Sequence, residues 1–235
     1  YKSGNENKVQ VLSDGLINIG AGDEANMISE ICQCPVGVGS NRIESSKRIL
    51  AQFPDINIIL SDDGLQHYGM KRDIEIAVCR LVAFGNGLMI PAGPLRESRS
   101  RLDKADIIIN RDGNQIVESL NEVWNLNDPS NKVHITQFKG QQVHALAGIG
   151  FPEIFFASLV QAGIDPISHE FPDHHAFIPS NLELKPELPI LVTHKDAVKL
   201  KGVVNDNIWV VPLSIDFSTD LESKILQLLE TKHHG

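Results

Sequence analysis

The run Ser61-Asp62-Asp63-Gly64-Leu65-Gln66-His67 follows directly on Asp55-Ile56-Asn57-Ile58-Ile59-Leu60. An apolar strand that ends in two carboxylates and a glycine is how open α/β sheets deliver acid groups to a ligand crevice. Ile56, Ile58, Ile59 and Leu60 predict a strand buried on both faces. That strand would carry Asp62 and Asp63 to the carboxyl edge of a sheet, where such a carboxylate can hold Mg²⁺ on the phosphates of a nucleotide. A plain Asp-Asp-Gly turn is the simpler reading of the same string.

Four further strings hold side chains of the right types. Gly22-Asp23-Glu24 places two acids at a helix start, where the helix dipole favours them, and an ordinary N-cap would look the same. Phe84-Gly85-Asn86-Gly87 and Pro91-Ala92-Gly93-Pro94-Leu95-Arg96-Glu97 form a Gly- and Pro-rich loop. Loops of this kind, held on a rigid sheet, often carry sites. Arg96, Arg99, Arg101 and Lys104 make a basic run suited to a phosphorylated substrate or an anionic head group, or else a solvated helix face. Asp173-His174-His175 suits metal binding, or a base whose tautomer a carboxylate fixes. Thr193-His194-Lys195-Asp196, in a strand–turn–helix setting, would expose Thr193 and Lys195 at a helix N-terminus, where phosphate binds, or simply cap a surface helix. His233 and His234 read as solvated tail.

The elements that must position these groups alternate between strand-like and helix-like, the pattern of a parallel α/β sheet. Strands are expected at 9–12, 56–60, 74–79, 105–109, 133–138, 143–147, 189–193 and 208–212. Helices are expected from Gly22 to about Ile31, from an Asn41 cap to Phe53, briefly near 115–124, from Pro152 to Ala162, and from Thr219. In the second, Ile43, Ile49, Leu50 and Phe53 share a face and Pro54 ends the helix. A second, smaller unit is expected from about residue 133, giving domains of 1–132 and 133–235.

Composition sets outer bounds. The 235 residues are 42% hydrophobic and 22% charged, with a formal net charge of −9, which argues against a nucleic-acid partner. Three cysteines are too few for a disulfide scaffold and suggest a reducing compartment. Cys32-Gln33-Cys34 has the wrong spacing for a zinc knuckle and reads as packing. No stretch approaches the ~18 apolar residues of a membrane span. The first residues are polar, unlike a signal peptide, and the lack of an initiating Met suggests a start inside a longer protein.

Taken in order, these strings resemble the tetraacyldisaccharide 4′-kinases, which phosphorylate the lipid A precursor. The matching strings are Gly22-Asp23-Glu24, the 61–68 block with Lys71-Arg72-Asp73-Ile74-Glu75-Ile76, and the 84–97 block. Arg101-Leu102 with Asp106 to Asn110, Ala147-Gly148-Ile149-Gly150 with Phe155-Phe156, Asp173-His174-His175, and Lys195-Asp196-Ala197-Val198-Lys199 complete the series. The resemblance implies a P-loop-NTPase-like, mostly parallel sheet flanked by helices, with a second smaller α/β domain. It implies ATP and Mg²⁺ as cofactors, the tetraacyldisaccharide 1-phosphate as partner, and work at the cytoplasmic face of a bacterial inner membrane. On this likeness Asp62 and Asp63 serve Mg²⁺, and Asp23 is the base. A histidine of the 173–175 string partners Asp23; the choice between His174 and His175 stays open, with His174 preferred. His67, Asn86, Arg96, Glu97 and Arg101 would line the substrate or phosphate side.

This sequence departs from the family pattern at Gly69, Cys79, Val82, Ser98, Phe151 and His194. No Gly-x-x-x-x-Gly-Lys-Ser/Thr occurs in it, so no residue is assigned to the phosphate cradle, and the resemblance implies an N-terminally truncated segment. A metal-dependent phosphoesterase is the alternative enzyme reading, since such enzymes set Asp-His-His beside Asp pairs to hold two transition metals. A degenerate homologue that binds lipid or nucleotide without turnover is the non-enzyme alternative.

Overall fold

A computed structural model describes residues 9–13, 19–80, 84–113 and 115–233. Val82 and His234 lie outside the described residues. In chain order the first elements are β1 (Gln10–Leu12), α1 (Asp23–Cys32), β2 (Val36–Val38), α2 (Arg42–Gln52), β3 (Ile76–Cys79), β4 (Ile107–Asn110), β5 (Ile116–Ser119) and β6 (Glu122–Asn125). There follow β7 (Lys132–His134), β8 (Gln142–Ala147), α3 (Pro152–Gln161), β9 (Asp165–Glu170), β10 (Ile190–Thr193), α4 (His194–Lys199), β11 (Ile208–Val211), β12 (Ser214–Phe217) and α5 (Thr219–His233). They form two compact units. One is drawn from the stretch ending at Ile59 and from Leu120–Ser214; the other from Leu60–Ser119 and from Ile215 onward. The position expected to divide two domains, between residues 132 and 133, falls within β7.

The first unit is built on a six-stranded sheet in the order β7-β6-β11-β10-β8-β9. Strands β11, β10, β8 and β9 run parallel, and β6 and β7 add an antiparallel edge. Parallel strands are covered on both faces, so the central ones read as unbroken apolar runs. Val143, Ala145 and Ala147 of β8 join Leu191, Val211 and the α3 residues Phe155 and Leu159 in one core. Leu146 faces the other way, with Ile190, Val192, Ile208, Val210 and Ala197 of α4. Full burial of each Val, Leu, Ile or Phe side chain contributes about 1.5–3 kcal/mol. Pro152 at the first turn starts α3, and Gly163 (φ 80°) follows its end.

A small antiparallel pair, β1 with β2, completes this unit and is covered by α1 and α2. The side chain of Asn41 caps α2 by accepting from Glu44 N at 3.1 Å. Ile49 is buried there, but Ile43 and Leu50, expected on the same buried face, are 42% and 41% exposed. Two strands of three residues each cannot cover more than a narrow stripe of an eleven-residue helix.

In the second unit β3 and β4 pair in parallel, and β5 pairs with β12. Leu221, Ile225 and Leu228 of α5 pack on Ile107, Ile109 and Ile116. Ile76, Val78 and Ile108 remain exposed.

Several expectations are corrected. Residues 56–60 are not a strand: Leu60 is 90% exposed, and no described strand pairs with them, so the apolar run lacks a ladder. The short helix expected near 115–124 is two strands, β5 and β6, in keeping with β-branched Ile116, Val117 and Val123 and the aromatic Trp124. The strand expected at 133–138 stops at His134, whose ring accepts from Thr136 N and caps a 3₁₀ turn over Ile135–Phe138. Cys32 and Cys34, expected to pack, are exposed. Strands β2, β9 and β12 were not anticipated. β9 is an edge strand with a Pro and mostly polar residues, a composition that blunts sheet edges and hides the strand signal.

Candidate functional site

In the first unit three chain segments meet at Asp23. The first begins at Gly22, whose φ 87°, ψ 161° lies in a region open essentially to glycine alone. That conformation turns the chain directly into α1, so Asp23 and Glu24 occupy its first turn, where free N–H groups favour negative charge.

The second segment is the turn after β9. Its Asp173 carboxylate accepts from His174 N at 3.0 Å, and His175 N donates to Pro172 O at 3.0 Å. Together they hold His174 at φ 62°, an uncommon conformation for a residue with a Cβ, worth about 1–3 kcal/mol of strain. The turn sends the two imidazoles apart. His174 Nδ1 lies 3.2 Å from Asp23 Oδ2 and donates its proton to that carboxylate. His175 Nε2 instead lies 3.1 Å from Asn181 Oδ1, and its ring stacks on Phe171 at 4.6 Å and meets the edge of Phe177 at 5.1 Å. The structure brings His174, not His175, to Asp23.

The third segment runs from β10 into α4. Thr193 Oγ1 accepts from Asp196 N at 3.1 Å and donates to Asp196 Oδ2 at 2.7 Å. Asp196 is fully buried, and its Oδ2 also accepts from Gly148 N at 3.0 Å. Thr193 was expected to stand exposed at a phosphate-binding helix end; it is buried and committed to Asp196. Lys199 Nζ donates to Asp196 Oδ1 at 2.8 Å and to Gly148 O at 3.1 Å, and lies 3.8 Å from Asp23 Oδ2. Lys195 Nζ donates to Asp173 Oδ1 at 2.9 Å. Burial alone would raise the Asp173 carboxyl, but the hydrogen bond and charge of Lys195, with His174 beside it, hold it below the ordinary value.

In the second unit Asp62 and Asp63 are both exposed. Asp62 Oδ1 accepts from Asp63 N at 3.0 Å, and Asp63 (φ 49°) leads into a 3₁₀ turn over Gly64–Gln66 that the exposed His67 closes. Arg72 Nη1 donates to Gly64 O at 2.8 Å. Asn86 braces its own loop: Nδ2 donates to Ala92 O at 2.8 Å, and Oδ1 accepts from Leu88 N at 3.1 Å. Arg96 Nη1 donates to Gln66 Oε1 at 3.4 Å.

Glu97 and Arg101 line a cavity of about 480 Å³ with Tyr68, Arg72, Glu75, Ser98, Ser100 and Lys104. Tyr68 donates its hydroxyl to Glu97, which pushes the phenol above its ordinary value. Arg101 binds Glu75 through two nitrogens and lies 3.6 Å from Glu97. The Arg101 hydrogen bond, working against burial, holds the Glu75 carboxyl below its ordinary value. Among the described residues no three His, Cys, Asp or Glu side chains converge as a metal site of their own.

A family model described as tetraacyldisaccharide-1-P 4′-kinase matches residues 1–230. The chain belongs to that family. It is 38% identical over 220 residues to the tetraacyldisaccharide 4′-kinase of Methylobacillus flagellatus, covering 88% of this chain and 64% of that one. With the Azoarcus sp. enzyme of the same name it shares 34% identity over 239 residues, 97% of this chain and 69% of the relative. The Colwellia psychrerythraea enzyme is 40% identical over 227 residues, 88% of this chain and 65% of its own length. The chain therefore spans about two thirds of the length of the curated relatives it matches. A crystal structure titled as the "apo" form of LpxK from Aquifex aeolicus in complex with ATP superposes with a TM-score of 0.77 at 21% identity, over 96% of this chain and 75% of that one. The expected α/β fold class holds: helices flank parallel and antiparallel strands, and the likeness to that structure shows the same fold.

In this tetraacyldisaccharide 4′-kinase family member, Thr193 and Lys195 stand out by residue type, whereas the roles of Asp196 and Lys199 emerge only from their contacts. Their i, i+3 spacing on one helix was the signal available. The Tyr68–Glu97 and Arg101–Glu75 contacts join residues 29 and 26 positions apart, and no local pattern announces them.

Proposed function

We propose that the protein transfers the γ-phosphate of ATP to the 4′-hydroxyl of a tetraacylated glucosamine disaccharide 1-phosphate, as a step of lipid A biosynthesis. The observation that carries this reading is the 3.2 Å contact between Asp23 and His174, at matching positions of two family motifs 151 residues apart. A sugar hydroxyl is a poor nucleophile. Asp23 accepts its proton as the oxygen bonds to the γ-phosphorus and the bond to ADP breaks. His174 Nδ1–H holds the carboxylate in place. Family membership supports this reading rather than the metal-dependent phosphoesterase.

Mg²⁺ is commonly bound by one or two carboxylates together with substrate phosphates and waters, so the exposed pair Asp62 and Asp63 fits it. When bound it would neutralise charge on the phosphates. His67, Arg96 and Glu97 would face the substrate or its phosphate; Arg101 supports Glu97, and Asn86 shapes the loop that carries Arg96 and Glu97.

The same loop supports a peripheral position on the cytoplasmic face of the inner membrane. Leu88, Met89 and Ile90 are consecutive and 52%, 52% and 63% exposed. Backbone bonds from Leu95 N to Leu88 O and from Ile90 N to Leu95 O stiffen their presentation. Arg96 and Arg99 follow, matching anionic head groups. No described helix is long and apolar enough to cross a membrane.

The test is phosphoryl transfer from labelled ATP to the tetraacyldisaccharide 1-phosphate by the protein as its genome encodes it. Asp23→Asn is expected to lower kcat by about 10²-fold or more with unchanged melting. Near-normal turnover in that variant overturns the reading of Asp23.

A further inference from the structure

We infer that Lys199 is a positioning residue for Asp23, a buried cation that fixes the carboxylate from the protein side while His174 holds it from the solvent side. The inference rests on the reading of Asp23 as the base.

Lysine is seldom buried without a purpose for its charge. The Lys199 side chain is 6% exposed, and its ammonium has three donors. Two serve Asp196 Oδ1 and Gly148 O. Those contacts alone would complete a structural ion pair. The ammonium nevertheless stands 3.8 Å from Asp23 Oδ2, beyond hydrogen-bond length but within reach of a strong charge–charge attraction in a buried setting.

Its anchor is rigid. Asp196 is fully buried, and its other oxygen is held by Thr193 Oγ1 and Gly148 N, so the lysine has a fixed seat. His174 reaches Asp23 from a side chain that is 63% exposed. The nearest oxygen of Asp23 to both groups is the same one, Oδ2. Two positive or donating groups on one oxygen set the rotation of the carboxyl and leave Oδ1 to receive the hydroxyl proton. The division of labour is then clear: the lysine acts from a fixed, buried seat, and the imidazole acts as a donor from the exposed side.

The experiment uses the protein as its genome encodes it, with Lys199→Met, Lys199→Arg, Asp23→Asn and the double variant Asp23→Asn/Lys199→Met. Lys199→Met is expected to lower kcat by about 10²-fold, as a misplaced catalytic group does, with little change in KM for ATP. Lys199→Arg is expected to recover part of the loss, since it keeps the charge. In the Asp23→Asn background Lys199→Met is expected to add no further loss, because the group it positions is gone. Loss from Lys199→Met that multiplies with that of Asp23→Asn overturns the inference and leaves the base reading intact. A fall in melting temperature with kcat within about 3-fold of wild type does the same. Near-normal turnover in Asp23→Asn removes the base reading, and the role of Lys199 with it. Should Lys199→Met fail to fold, Lys199→Met/Asp196→Asn removes the unpaired charge, and its kcat is read against the same expectations.

Discussion

Arg101 lies across Glu75 with both carboxylate oxygens engaged, at 2.8 and 2.5 Å, and the two side chains are only 16% and 12% exposed. The basic run from Arg96 to Lys104 is therefore not uniformly free for a ligand. Its innermost member is a structural clasp between the start of β3 and the segment after the 84–97 loop. Glu75 titrates below its ordinary value of 4.5. A lowered carboxyl contributes stability above its unfolded value and loses it as pH falls through the folded one. Glu75→Gln should cost about 1.5–3 kcal/mol at pH 7, the range of a charge-assisted hydrogen bond. The gap from wild type should close below pH 4.5. Urea unfolding at several pH values reads this directly, and a gap independent of pH would remove the ion-pair explanation.

The two histidines of the 173–175 string should separate cleanly by substitution. His174→Ala leaves an exposed turn and should melt near the wild type while kcat falls by about 10²-fold. His175→Ala removes a ring packed between Phe171 and Phe177 and a hydrogen bond to Asn181. It should lower stability by about 2–4 kcal/mol with the smaller effect on the chemical step. The opposite ranking of the two in a melting and turnover series would sink the assignment.

Gly148 is a close-approach glycine. A Cβ there would stand 3.2 Å from Asp196 Oδ1 and 3.4 Å from both His175 Cβ and Pro172 O. Asp196 cannot retreat, since its carboxylate is tied by Thr193, Lys199 and Gly148 itself. Gly148→Ala is expected to cost about 1–3 kcal/mol, as overpacking does, and to lower turnover along with stability. An unchanged melting temperature would show that the seat of Lys199 is softer than its contacts indicate.

Replacement of Leu88, Met89 and Ile90 together by Ser should weaken co-sedimentation with vesicles containing anionic phospholipid by about 10-fold or more, given the free energy of immersing such side chains. The expected control is an unchanged fold by circular dichroism. Equal vesicle binding by the triple variant would move the membrane contact elsewhere.

Much of the fold was legible because its determinants are local. Asn41 and Pro54 bracket α2, Pro152 and Gly163 bracket α3, and the apolar runs of β8, β10 and β11 announce strands covered on two faces. Residues 56–60 carry the same apolar signal, but a strand also needs a neighbour, and sequence pattern says nothing of pairing. β9 was hidden for the reverse reason, since it pairs with β8 while looking polar. At the candidate site the residue types at Asp23 and Asp173-His174-His175 were readable. The left-handed backbone at His174 decides which imidazole meets Asp23, and no residue type there, such as glycine, advertised it.

The first unit draws on two stretches of chain with Leu60–Ser119 between them. During synthesis Asp23 leaves the ribosome well before β8 and β10, and it waits without His174 until the inserted stretch has emerged. That stretch cannot finish first, because Ile107, Ile109 and Ile116 gain their cover only when Leu221, Ile225 and Leu228 follow. Both units thus depend on contacts between distant parts of the chain, the condition that slows folding and exposes apolar surface to chaperones meanwhile. A nascent chain halted at Ser214 would own every group of the Asp23, His174 and Lys199 cluster and still carry an unshielded isoleucine face.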